Sequence, residues 1–399
     1  MGVFGEPPTL DPYSGHATDL TFALARPIFP SLYRFEPDGS AVPELARSFE
    51  ENGGGARIEL HEASWSNGEP ITARDVVASI RRARSPSGFA HIERARAVGP
   101  GVIEIEGLPA DVRSALATAA FVLPKGRARL GLSGGPFELE RLTPGLQAVY
   151  VPNERYFGEG PYLRRLTVQF FASTSIMLTM LEDERLDAAA LPSTVNLGDR
   201  LAELGLEYDS ALGWETVRVD FSSSRLSRPE RVAVVGALDQ DTLAEGLVRA
   251  DGRSAYTLFP SPDSAAGPFG ADLGRSRAPD GTVLVIAPSG DELLQLVQRV
   301  ALSQIDDAGI DTDTVLLEAA SLYGDDPRNP RGVAVLRTAG APGLGRPGAG
   351  VRSLDGFPLF QVETFAVWRR GLSGVQANPT VEGLLWNAET WWWADGGRR

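Results

Sequence analysis

The chain has 399 residues, with 38 Lys+Arg against 52 Asp+Glu and a net charge of −14 at neutral pH. It has no cysteine, which excludes disulfides, thiolate metal sites, iron–sulfur clusters and a cysteine nucleophile. Its acidity argues against a nucleic-acid partner, and its one lysine, Lys125, lies outside any phosphate-loop motif. In chain order, apolar positions Leu20, Leu24, Ile28, Leu32 and Phe35 trace one helical face, cut by Pro27 and Pro30. Alternation predicts strands at 57–60 and 102–106. Between them, Asn67-Gly68 signals a turn, and Thr72 with Asp75 predicts a capped helix over 73–84. An alanine-rich helix is expected at 110–120, and a hairpin of strands 137–142 and 147–151 about Thr143-Pro144-Gly145.

Further on, strand 166–171, helix 174–184 and strand 187–191 read as a βαβ unit with a parallel pair. A second unit joins strand 282–287, helix 291–308 and strand 314–318. Its helix carries the stripe Leu293, Leu294, Val297, Val300, Ala301 and Ile305. Strands alternating with helices indicate an α/β fold. The stretches 259–279 and 339–350, dense in Gly and Pro, read as lobe junctions. No uninterrupted apolar run reaches the roughly 18 residues of a membrane span.

Motif by motif, catalysis finds little support. Gly343 to Gly348 matches Gly-x-Gly-x-x-Gly after a strand, but Pro347 blocks the helix whose N-terminus would hold a pyrophosphate. Gly131-Leu132-Ser133-Gly134-Gly135 matches a nucleophile elbow, yet Pro136 and a strand follow where a helix is required, so Ser133 reads as part of a turn. His16, His61 and His91 stand far apart, Asp311-Thr312-Asp313 lacks the rest of a calcium loop, and Glu182-Asp183-Glu184 reads as a solvent face. Trp386, Trp391, Trp392 and Trp393 crowd the C-terminus. Packing on the chain's own lobe is expected, with at least one of the three consecutive rings exposed. Trp214 and Trp368, flanked by polar residues, should be partly solvent-facing.

Several ordered segments together resemble the extracytoplasmic solute-binding proteins of the peptide/nickel class, family 5, which serve ATP-driven (ABC) importers. Pro8-Thr9-Leu10-Asp11-Pro12 and Phe29-Pro30-Ser31-Leu32-Tyr33-Arg34 resemble the family's opening. Pro43 to Glu50 resembles its "P-x-L-A-x-S" segment. Trp65-Ser66-Asn67-Gly68-Glu69-Pro70-Ile71-Thr72-Ala73-Arg74-Asp75-Val76 is similar to "W-x-D/N-G-x-P-hydrophobic-T-A-x-D-V", the most specific match. Gly134 to Phe137, Val151 to Phe157, Leu178 to Asp187 and Arg231 to Asp239 resemble later family segments in the right order.

The resemblance implies a two-lobed α/β fold of the periplasmic-binding-protein type (type II, cluster C-like). Lobe I would comprise 1–40, 134–258 and 356–399, with an inserted subdomain at 41–133 and a shortened lobe II at 259–355. It further implies a binding protein rather than an enzyme, closing on a small solute, oligopeptide-like or another polar organic molecule, and delivering it to a membrane permease. It would be monomeric and extracytoplasmic, with no cofactor and no resident metal. Met1 to Leu10 lacks the basic and apolar regions of an export signal, so either the protein is cytoplasmic or the sequence starts after a removed signal; the direct opening on Glu6 to Pro12 makes the second the expectation. By position in such a fold, Ser14, His16 and Asp19 in the loop after the first strand, Trp214 and Glu215 in the central strand, and Arg337 and Thr338 at the hinge are the expected ligand-binding residues. Trp214 would cover the solute, Asp19 and Glu215 would set its charge preference, and Arg337 would pair with an acidic group. The segment Gly332 to Pro342 lacks the carboxylate that holds the peptide's amino group in peptide-binding relatives, and three histidines give little for nickel. The alternative is a degenerate scaffold or sensor whose C-terminal tryptophans meet a partner protein. A hydrolase built on Ser133 is a distant third.

Overall fold

The structure is a computed structural model. It describes the chain apart from residues 15–18, 53, 84–91, 93, 108–112, 114–115, 118–120, 193–196, 249–252, 255–274, 290, 319–321, 323–329, 340–353, 381 and 395–399. Of the expected helix at 110–120 only Arg113, Leu116 and Ala117 are described, and these are helical; most of both glycine-rich junctions falls outside the described residues.

An 11-stranded sheet organises the molecule. Two strands in it are far longer than the rest, Glu207–Asp220 and Gly356–Trp368, and they pair antiparallel along their length. Toward one end, Gly356–Trp368 also pairs with Ala188–Pro192, beyond which follow Gly2–Phe4, Leu166–Phe171, Gln147–Pro152 and Phe137–Thr143. Toward the other, Glu207–Asp220 pairs with Val333–Ala339, followed by Val283–Pro288 and Thr312–Leu317. The register shifts between Leu212 and Glu215, opposite Glu363 and Val362, where the two halves of the sheet meet.

Each half has its own core. Leu294, Val297, Ala301 and Ile305 of helix Glu292–Asp307 pack on Val217, Val219, Val285, Val335, Phe357 and Phe360 of the sheet. Val234, Val235, Leu243 and Leu247, from helices Arg228–Ala237 and Gln240–Val248, join the same core. The expected lobe II range of 259–355 therefore holds only part of this core. Helices placed with lobe I in the sequence reading, and the near halves of both long strands, belong with it. Apolar periodicity finds such helices but does not say which sheet they cover.

On the other side, a core running from Met1 to Val168 takes in the C-terminal segment through Trp391. Helix Thr174–Glu182 and strand Ala188–Pro192 pack beside it through Met177, Leu178, Leu181, Leu191 and Phe365. The first predicted βαβ unit is parallel but not adjacent, because Gly2–Phe4 lies between its strands and pairs with both. The second unit is as predicted, with Val283–Pro288 and Thr312–Leu317 paired in parallel. The first helix, Asp19–Ala25, is shorter than the apolar stripe suggested, and Tyr33–Phe35 is already a strand, consistent with Pro27 and Pro30 breaking the run.

A separate four-stranded sheet, Ala46–Asn52, Gly55–Leu60, Val102–Glu106 and Arg94–Gly99, is covered by helix Ala73–Ala83. Its cap is as read: Thr72 N–H and Oγ1 both donate to Asp75 Oδ2 at 2.9 Å. The Trp65 segment is a turn that buries the indole, with Gly68 N–H donating to Trp65 O at 2.7 Å.

Candidate functional site

In open α/β sheets, ligands collect at the carboxyl ends of parallel strands. In the first half of the sheet, Leu166–Phe171 leads into helix Thr174–Glu182 at that edge. In the second, Val283–Pro288 leads into helix Glu292–Asp307. The first turns of these helices meet: Ser175 Oγ donates to Glu292 Oε1 at 2.5 Å. The carboxyl edges of the two half-sheets thus meet at this contact, and the two long strands join the halves. The Ser175–Glu292 contact is exposed, so it contributes less than about 1 kcal/mol and leaves the edges free to part.

The sequence-predicted residues are placed as follows. Trp214 and Glu215 lie in Glu207–Asp220 at the register shift, with Glu215 opposite both Val362 and Ala339. Thr338 is opposite Thr216, and Arg337 opposite Val217. Four of the seven are thereby brought to neighbouring backbone positions at the crossover. Their side chains, that of Asp19, and all of His16 lie outside the described residues. Asp19 opens helix Asp19–Ala25. Ser14 is half-buried in the turn after Asp11, its N–H donating to Asp11 O at 3.1 Å. That loop follows the carboxyl end of Gly2–Phe4, on the edge already described.

The sequence reading missed the polar groups that flank the crossover. Ser210 Oγ donates to Glu363 Oε1 at 3.1 Å, and Asp209 Oδ2 accepts from Ala377 N–H at 3.0 Å. Thr216 Oγ1 is fully buried without a hydrogen-bond partner among the described residues. Their signal in the sequence was weak, because each is an ordinary polar residue in a strand.

Other candidates resolve into structural roles. Ser133 is completely buried, its Oγ 2.6 Å from Phe137 O and 2.8 Å from Ile28 O, while it accepts from Gly135 N–H. It clamps a turn, away from solvent, and meets no histidine among the described residues. His61 is exposed at the end of a strand, and His91 lies outside the described residues. Among the described residues, no cluster of three or more His, Asp or Glu is placed to hold a metal. No described helix is long and apolar enough to cross a membrane.

The C-terminal segment packs on its own lobe. Trp386 and Trp391 are buried, Trp393 is half-buried and Trp392 is 47% exposed. The segment is pinned by Arg26, which pairs with both Glu382 and Glu44 and lies over the Phe121 ring. Arg34 pairs with Glu389 at 3.1 Å. Burial pushes the Glu382 and Glu389 carboxyls above the usual range, with the arginines pulling the other way. Trp368 is half-buried, its Nε1–H donating to Glu207 Oε2 at 2.8 Å.

Residues 40–326 match the profile of the bacterial extracellular solute-binding proteins, family 5. Protein XP55 of Streptomyces lividans is 26% identical over 408 residues, spanning 89% of this chain and 72% of its own. The fold is similar to that of the oligopeptide-binding protein AppA of Bacillus subtilis, solved with a nonapeptide. There the TM-score is 0.82 at 16% identity, over 99% of this chain and 98% of AppA. It is also similar to AgaA of Agrobacterium tumefaciens R10, solved with agropinic acid, with a TM-score of 0.80 at 16% identity over 98% of each chain.

Proposed function

Since the chain belongs to the bacterial extracellular solute-binding proteins of family 5, we propose that it captures a small polar organic solute between its lobes and presents it to an ABC-type membrane permease. The observation that carries this reading is the pair of separate cores joined along two long strands, with the carboxyl edges of both half-sheets facing one another at Ser175 and Glu292. The register shift at Leu212–Glu215 is the natural hinge, because a local break in the ladder lets one half rotate against the other at low cost. A solute that contacts both edges binds the closed form better and so draws the lobes together.

In this reading Ser14, His16, Asp19, Trp214, Glu215, Arg337 and Thr338 line the cleft. Trp214 covers the solute and Arg337 meets an acidic group. No step of chemistry is performed on the solute, so the protein is not an enzyme. It acts as a monomer on the extracytoplasmic side, and its solute is oligopeptide-like or another small polar organic molecule. The ligands of the structural neighbours, a nonapeptide for AppA and agropinic acid for AgaA, support a polar organic solute as the class. The test is solute retention in Trp214→Ala and Arg337→Ala. Each should release the co-purifying solute or weaken its binding at least about tenfold. Unchanged affinity in both would discard this site.

A further inference from the structure

A cavity of about 830 Å³ lies away from the cleft. It opens between the four-stranded sheet and the segment 124–132, and its walls all come from residues 65–132, so neither long strand reaches it. Trp65, Pro70, Pro100, Pro124 and Leu132 give it an apolar lining. Its cations are Arg74, Lys125 and Arg129, all exposed and without an ion-pair partner among the described residues. In a chain of net charge −14, three unpaired cations around one cavity run against the overall balance.

Two further features point the same way. Lys125, the chain's single lysine, has φ 50 and ψ 34, the left-handed conformation that a side chain adopts only when its surroundings impose it. The surroundings here are specific. Lys125 N–H donates to Asp75 Oδ1 at 2.9 Å, and Gly126 sits so close to helix Ala73–Ala83 that an added Cβ would lie 2.9 Å from Ala78 O. Arg74 stands in the first turn of that helix, where the helix dipole disfavours a cation and favours an anion. Two carboxylates also line the cavity. Asp75 is buried and occupied by Thr72 and the Lys125 backbone, which leaves Glu69 as the exposed one.

We propose that this cavity is a second ligand site, separate from the interlobe cleft, for an organic anion with an apolar body. Its carboxylate, sulfonate or phosphate meets Arg74, Lys125 and Arg129, and its body lies on the Trp65–Leu132 wall. The volume falls in the range of small-molecule sites, and both parts of the chemistry are present.

The test uses the purified full chain titrated with anilinonaphthalene sulfonate, which carries an anion on an aromatic body and fluoresces when bound. Decanoate serves as competitor, and inorganic phosphate tests the charge alone. Saturable single-site binding, displaced by decanoate and much less by phosphate, is expected. Lys125→Gly should weaken it by about tenfold or more (~1.4 kcal/mol) without lowering the melting temperature, because glycine adopts the left-handed conformation freely. Arg74→Gln with Arg129→Gln should weaken it further. The proposal is overturned if these variants bind the dye as the parent does, or if phosphate alone binds as tightly. Dye binding lost in Trp214→Ala but kept in Lys125→Gly would place it in the cleft and also overturn the proposal.

Discussion

Replacing Arg26 with methionine tests whether the C-terminal segment is an integral part of lobe I. The Arg26 side chain is 5% exposed, and those of its partners Glu44 and Glu382 are 8% and 1% exposed. Arg26→Met therefore strands two carboxylates in the interior. Glu44 keeps the Ser31 N–H at 2.7 Å, and Glu382 keeps the Phe35 N–H at 3.1 Å. Removing one partner of a buried pair costs about 3–5 kcal/mol, because the remaining charge is left unpaired. Glu382→Gln on the Arg26→Met background removes one stranded charge and should recover part of that loss, giving a coupling above about 1 kcal/mol in the double-mutant cycle. The assay is urea unfolding followed by tryptophan fluorescence, to which Trp386 and Trp391 contribute. Native Glu382 already holds its proton more tightly than an unfolded glutamate, and losing Arg26 strengthens that hold. Stability conferred by a raised native pKa is present at low pH and lost as pH rises, so the Arg26→Met deficit should shrink on acidification from about pH 8 to about pH 5. A cost below about 1 kcal/mol with zero coupling would show that Arg26 does not hold the segment in place and return the C-terminal tryptophans to the role of a partner-docking segment.

Ser133→Ala should lower stability by about 1–3 kcal/mol through the lost clamp on Ile28 and Phe137, and leave any background hydrolysis of model esters unchanged. Loss of a measurable esterase activity would instead revive the nucleophile. Gly135→Ala should be more disruptive than Ser133→Ala in the same thermal melt, since its Cβ would lie 2.5 Å from Pro27 O, a backbone atom that cannot step aside. Equal melting temperatures for Gly135→Ala and the parent would show that this turn is not tightly packed. Glu230 is held down at about pH 2 by hydrogen bonds from Ser227 and Arg277. Its stabilisation is complete above the ordinary glutamate pKa and fades as pH falls toward about 2. Glu230→Gln should therefore flatten the acid limb of stability in that window, and an unchanged limb would count against the hydrogen bonds that hold Glu230 to Ser227 and Arg277.

Much of this architecture was legible in the residues. Helix Glu292–Asp307 and its flanking strands announce themselves through an uninterrupted apolar stripe between two β-branched runs. The Thr72–Asp75 cap and the hairpin about Pro144 are equally local, because each is set by a few adjacent residues. What the sequence could not show is non-local. Gly2–Phe4 is three residues long, yet it separates two strands that local reasoning would pair directly. Helices Arg228–Ala237 and Gln240–Val248 have apolar faces that suit either lobe, and only the assembled sheet assigns them to the second core. At the candidate site, Trp214, Glu215, Arg337 and Thr338 were picked by position in the resembled fold, and only the assembled ladder shows that they occupy neighbouring backbone positions. The contact between Ser175 and Glu292 had no sequence signature, since it joins residues 117 positions apart through ordinary polar side chains.

Native mass spectrometry of the purified full chain, compared with its denatured mass, shows whether a solute is held between the lobes. An additional mass of one small organic molecule is expected on the native protein, released on unfolding and absent or reduced in Trp214→Ala and Arg337→Ala. A native mass equal to that of the bare polypeptide, persisting after incubation with a peptide and opine-type solute mixture, would contradict it.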